Sequence, residues 1–73
     1  MPSFRDAFAT VVRRRRHKLK FSQEELAERA DIHRVYLSRV ETGKVSPSME
    51  IARRVSKGLG TELSKLVREA EEN

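Results

Sequence analysis

The apolar residues of the chain recur at the three- and four-residue spacing of helices, and no segment alternates apolar and polar positions long enough to make a strand. Five helices are predicted in a single domain, residues 1–73, with no low-complexity linker and no internal repeat. The first covers about 3–19. At about 100° per residue, with Phe8 as origin, Phe4 falls at about 320°, Val11 at about 300°, Val12 at about 40° and Leu19 at about 20°, which is one apolar stripe. The basic run "RRRRHKLK" therefore lies on a helix and not in a flexible arm. Consecutive helical residues spread around the whole circumference, so these arginines cannot share one partner. Arg13, Arg14, His17 and Lys18 are predicted to point outward. Arg15 falls at about 340°, inside the stripe, and Arg16 at about 80°, on its edge. A guanidinium drawn into that stripe demands a carboxylate, so Arg15 or Arg16 should have one.

The second helix carries a complete start signal. Ser22 and Glu25 make an S-x-x-E capping box, and Phe21 and Leu26 occupy the two positions of a hydrophobic staple. Leu26, Ala27 and Ala30 supply its inner face. Asp31 tolerates a left-handed turn, Ile32 plugs the core, and His33 caps a third helix over 34–41 that is closed by "TGK", with Gly43 past its end. Two helices joined by about four residues have the spacing of a helix-turn-helix, here about 22–42. "VSPS" opens the fourth helix, with Ser46 or Ser48 as cap and Pro47 in or beside the first turn. Met49, Ala52, Val55 and Leu59 are its predicted buried seam, and Gly58 and Gly60 weaken its end. A last helix at about 62–71 presents Leu63, Leu66, Val67 and Ala70 at helical spacing.

In this order and spacing, "SQEELAERA", "YLSRVETGK", "SPSMEIA" and "GLG" resemble the Cro/C1-type (XRE) helix-turn-helix family of phage repressors and small bacterial regulators, from about Phe8 to Leu66. The resemblance implies an all-α, compact five-helix, lambda-repressor-like DNA-binding domain with its helix-turn-helix at helices two and three. The chain departs from the family at three positions. Lys20 stands where the first helix usually ends in glycine, and Asp31 where glycine usually makes the central turn. Arg15 stands at a position the family often fills with leucine, a space that Leu19, one turn later, could refill.

With Arg34 as origin on the third helix, Ser38 lies at about 40°, Val35 at about 100° and Arg39 at about 140°, while Tyr36, Leu37 and Val40 cluster between about 200° and 300°. One face is polar with a single small apolar residue, and the other is core, the division a helix needs to enter a major groove. The resemblance implies base contacts from Arg34, Val35, Ser38 and Arg39. Arginine pairs bidentately with guanine and valine suits a thymine methyl; the alternative is a solvated face touching phosphate alone. Gln23 resembles the family's phosphate-binding glutamine, aided by the helix dipole. His33, Thr42 and Lys44 flank the third helix as further phosphate candidates, His33 alternatively being a plain cap, and Lys20 and Arg14 either touch the backbone or are solvated. The family also pairs an arginine late in helix one with a glutamate ending helix three, which implies a buried Arg16–Glu41 ion pair here.

Composition adds direction to this reading. Lys and Arg number 16 against 11 for Asp and Glu, a formal net charge of +5, and the basic residues precede an acidic end, "REAEEN". A small basic domain suits a polyanion, double-stranded DNA above all. One such reader spans too few base pairs for genomic specificity, so a homodimer on a palindromic operator is expected, with Leu63, Leu66, Val67 and Ala70 either at its interface or capping the monomer's core. The absence of cysteine excludes disulfides and thiolate sites, His17 and His33 form no metal cluster, and no apolar run is long enough for a membrane span. A cytoplasmic protein without cofactor or metal is expected. No glycine-rich phosphate loop or paired acidic site suggests catalysis, and Ser22, His33 and Glu41 are better explained as cap, turn and anchor. So short a chain leaves no room for a sensor domain, and occupancy should follow concentration, as in a phage or plasmid repressor, a restriction–modification controller or an antitoxin. Glu24, Glu25 and Glu28 either contact RNA polymerase or form only a solvated capping turn. The competing function is an interaction module that sequesters a protein through the last helix. A membrane-surface helix fares badly, because the apolar stripe of helix one is needed for the core.

Overall fold

Serine hydroxyls start three helices by accepting a backbone N–H of the first turn: Ser3 from Asp6 at 3.2 Å, Ser22 from Glu25 at 3.0 Å and Ser48 from Ile51 at 3.1 Å. The computed structural model describes residues 3–72. It is all-α, with α1 (Phe4–Lys18), α2 (Gln23–Ala30), α3 (Arg34–Glu41), α4 (Met49–Gly58) and α5 (Leu63–Glu72). At α2 the capping box closes from both sides, since the Ser22 N–H also donates to Glu25 Oε1 at 3.0 Å. That bond, and a second from the Ser22 side chain, hold the Glu25 carboxyl below its usual value of 4.5. Its folded pKa being depressed, the cap is at full strength above that usual value and weakens as pH falls through the folded one.

Among the described residues, four chain reversals use left-handed residues: Lys20 at φ 61°, Asp31 at 56°, Gly43 at 73° and Gly60 at 74°. Each carries the same pair of bonds. After α1, the Phe21 N–H reaches the Arg16 carbonyl at 3.1 Å and the Lys20 N–H reaches that of His17 at 3.0 Å; after α3, Lys44 and Gly43 repeat the pattern on Arg39 and Val40 at 2.9 and 3.2 Å. Lys20 and Asp31 therefore sit in the backbone conformation that glycine takes elsewhere in the same chain.

The core is a continuous cluster in which Val11, Val12, Leu26, Leu37, Val55 and Leu66 have no exposed surface. The α4 helix packs tightly against α2 at Gly58, where an added Cβ would lie 3.1 Å from Leu26 Cδ1 and 3.2 Å from the Ala30 nitrogen. The glycine predicted to weaken the end of α4 is thus what lets it approach α2. On the other side α5 lies along α1. No helix among the described residues is long and apolar enough to cross a membrane.

Three apolar expectations need correction. Met49 is 77% exposed instead of buried in the α4 seam, because its side of the first turn faces away from the core; Ile51, two residues on, packs on the core in its place. Leu19 is 45% exposed, since α1 ends one residue before it, and so it does not refill the space at Arg15. Phe4 is also half-exposed, its ring stacked on Phe8 at 5.9 Å.

Left-handed lysine costs roughly 1 kcal/mol relative to glycine. Lys20→Gly should therefore raise the urea midpoint by an increment equivalent to about 1 kcal/mol with an unchanged slope. An unfolding titration followed by circular dichroism checks this.

Candidate nucleic-acid interface

The α3 helix is fixed at its C-terminal end by a buried ion pair. Arg16 Nε donates to Glu41 Oε2 at 2.7 Å and Nη2 to Oε1 at 3.0 Å, while Nη1 donates to the Phe21 carbonyl at 2.9 Å. Glu41 is 1% exposed and Arg16 9%. Gln23, the first residue of α2, adds a bond from Nε2 to Glu41 Oε1 at 3.1 Å. The glutamate side chain thus joins the end of α1, the start of α2 and the end of α3. Arg13 donates to the Glu41 main-chain carbonyl. It is half-buried, not directed outward as the wheel predicted, because the end of α3 lies within its reach. Arg15 has its carboxylate too: its Nε lies 3.4 Å from Glu69 Oε2 on α5, with Arg14 Nη2 at 3.7 Å from the same oxygen.

From this anchor α3 presents the expected division. Leu37 and Val40 are buried and Tyr36 half-buried, while Arg34, Val35 and Arg39 are exposed and Ser38 is half-buried. His33, Val35, Tyr36 and Arg39 together line one shallow, mainly apolar depression of about 350 Å³. Arg34 lies a little to the side, its Nε 3.9 Å from Glu24 Oε1 at the start of α2. The side chains at the starts of α2 and α3 thus reach one another, while Gln23 itself touches the end of α3 through Glu41.

The flanking polar residues differ in what they can still offer. His33 caps α3 through Nδ1, which accepts the Val35 N–H at 3.1 Å. In the neutral ring this puts the proton on Nε2, so the residue can cap the helix and still donate to a phosphate. Thr42 directs its hydroxyl inward, donating to the Ser38 carbonyl at 2.9 Å. A phosphate contact from Thr42 would require that hydroxyl to turn. Lys44 is exposed beyond the end of α3. Gln23 has one amide hydrogen committed to Glu41 and a second available.

Of the four residues expected at an interface on the last helix, Leu66 and Ala70 are 0% and 3% exposed. They are consumed by the core of their own chain and have no surface to offer a partner. Leu63 and Val67 are half-buried. They line a groove of about 350 Å³ together with Phe4, Phe8, Pro47 and Met49.

Outside these regions, Arg29, Arg53, Arg54 and Lys57 surround Glu50 and Asp31. Hydrogen bonds from Arg54 at 2.9 Å and Arg53 at 3.0 Å hold the Glu50 carboxyl below its usual value. Sequence reasoning missed the Arg13 cap, the Glu24–Arg34 contact and the Gln23–Glu41 bond. For Arg13 a signal existed, since Arg13 and Arg16 are one turn apart and can meet the same neighbour.

Two short capped helices, the second anchored at its end and exposing a polar face, define a DNA-binding helix-turn-helix. The chain belongs to that family, in its Cro/C1-type (XRE) form, and matches it over residues 12–66. It is 42% identical over 53 residues to an HTH-type transcriptional regulator of Methanothermobacter thermautotrophicus, covering 73% of this chain and 77% of that one. Among solved structures it resembles the clp gene regulator ClgR of Corynebacterium glutamicum, with a TM-score of 0.90, 29% identity and coverage of 99% and 94%. It also resembles the restriction–modification controller protein C.AhdI of Aeromonas hydrophila, with a TM-score of 0.81, 28% identity and coverage of 84% and 92%. The protein is a transcriptional regulator with a helix-turn-helix DNA-binding fold.

Arg16→Met leaves a buried, unpaired Glu41 carboxylate and should cost about 3–5 kcal/mol. Arg13→Met removes one partly buried bond to a carbonyl and should cost about 1 kcal/mol. Lys18→Met, on the exposed side of α1, should stay within about 0.5 kcal/mol of the wild type. Thermal and urea denaturation of the three variants reads this order.

Proposed function

We propose that the protein is a repressor or autoregulatory controller that binds a palindromic operator as a homodimer, with α3 in the major groove of each half-site. The exposed Arg34–Val35–Arg39 face, held against a buried anchor, carries the reading. Two arginines spaced along one helical face suit guanine pairs, and Val35 suits a thymine methyl. Gln23, His33 and Lys44 are the phosphate contacts, with Thr42 joining them on rotation of its hydroxyl; Ser38 lies between the two arginines. Repression by occluding a promoter requires the least machinery. A phage or plasmid switch, a restriction–modification controller and an antitoxin are all consistent with such a regulator.

The groove beside α5 supports the dimer. Phe4, Met49, Leu63 and Val67 expose apolar surface that a second copy would cover, and Leu63 and Val67 are the interface residues on α5. The domain measures 31 Å along its longest axis. A palindromic operator with half-sites one turn of DNA apart needs the two recognition helices of the dimer about 34 Å apart. The same groove could instead take a different protein, which is the antitoxin-like reading.

In vitro selection from random DNA at one stated salt concentration should enrich a palindrome with half-sites about one turn apart. Sedimentation of the wild type should show a dimer, and Val67→Glu should give a folded monomer whose operator affinity falls at least tenfold. A wild-type monomer, or selection without a palindrome, contradicts the proposal.

A further inference from the structure

Three glutamates lie on the exposed side of α2, and they are not equivalent. Glu25 is committed to the Ser22 cap. Glu28 makes no ion pair among the described residues. Glu24 alone is directed at α3, with its carboxylate Oε1 3.9 Å from Arg34 Nε. Both side chains are solvated, at 52% exposed for Arg34 and 83% for Glu24, so the contact contributes little to folding. Its consequence lies in what it does to the arginine next to a polyanion.

An arginine on a reading helix has two competing acceptors. The guanine edge offers neutral oxygen and nitrogen atoms, O6 and N7, whereas the backbone offers anionic phosphate oxygens. A carboxylate beside the guanidinium treats these differently. It repels a phosphate drawn to the same site, while a neutral base edge meets no such charge. It also cancels the local positive charge that draws the arginine into sequence-independent binding. Approaching from the Nε side, Glu24 leaves the terminal nitrogens for a base pair.

We propose that Glu24 is a specificity-determining residue that restrains Arg34 from phosphate binding and so reserves it for base recognition. This rests on the reading above, in which Arg34 contacts a base. Glu24 itself touches no DNA; it acts through Arg34.

The test measures binding to the selected operator and to an unrelated duplex, over a salt series, for wild type, Glu24→Gln, Arg34→Ala and the double variant. Both residues are exposed, so all four proteins should remain folded, which their melting curves verify. In Glu24→Gln the unrelated duplex should bind about 2–5-fold more tightly, the factor of one exposed ion pair. Its log affinity against log salt should steepen by about 0.9, one further phosphate neutralised. Operator affinity should change less, lowering the ratio of specific to non-specific binding. In the Arg34→Ala background the same substitution should leave that ratio and slope unchanged. Equal tightening on both duplexes, or weaker operator binding, overturns the proposal. So does a Glu24→Gln effect that persists without Arg34; if Arg34→Ala has itself reduced operator preference, the base-contact reading survives that failure. An Arg34→Ala variant with undiminished operator preference removes the reading and the proposal together.

Discussion

The buried pairing of Arg16 with Glu41 is the interaction on which the rest of the molecule depends. Removing a guanidinium and a carboxylate from water is costly unless the polar atoms of both are met. Here they are met by groups from three places in the chain: the carboxylate of α3, the Phe21 carbonyl that follows α1, and the Gln23 amide that begins α2. The pair is therefore poor evidence for stability as such and good evidence for a fixed arrangement. Other orientations of α3 would leave a charge or a carbonyl without a partner. Because Gln23 shares the carboxylate, the start of α2 and the exposed face of α3 are set relative to each other by one group.

That arrangement separates charges that the sequence presents as one block. Arg13, Arg15 and Arg16 are engaged with Glu41 and Glu69, inside the chain or at the seam between helices. Arg53 and Arg54 hold Glu50 on the far side of α4. Arg34, Arg39 and Lys44 remain on or beside the reading face. The net charge attracts a polyanion at long range, but a large share of the arginines are structural cations. A mutational survey that treated them alike would confuse folding with recognition.

What could be read from the sequence follows the range of the interaction. The Ser22–Glu25 cap and the left-handed turn at Asp31 depend on a few neighbouring residues and were legible, whereas the sequence left open whether Lys20 takes the left-handed conformation or the helix ends differently. The core face of α3 was legible from periodicity. The Arg16–Glu41 pair came from family resemblance, since periodicity placed Arg16 only on the edge of a stripe. The Arg13 cap and the Glu24–Arg34 contact depend on how α1 and α2 meet α3, which spacing alone does not encode. The apolar errors have one cause. Periodicity says which face of a helix is apolar, not whether another element covers it. Met49 and Phe4 were left uncovered, while Leu66 and Ala70, assigned to a partner, were buried by their own chain.

The central claim is that this anchored helix reads bases through its exposed arginines. The most direct measurement is the affinity of wild type and Arg39→Ala for an operator panel with each base pair changed singly, at one salt concentration. The account predicts that Arg39→Ala loses discrimination at one guanine position per half-site, by about 1–3 kcal/mol, and keeps it elsewhere. A uniform loss of affinity across the panel, with every positional preference retained, would mean that Arg39 serves only the phosphate backbone and would contradict it.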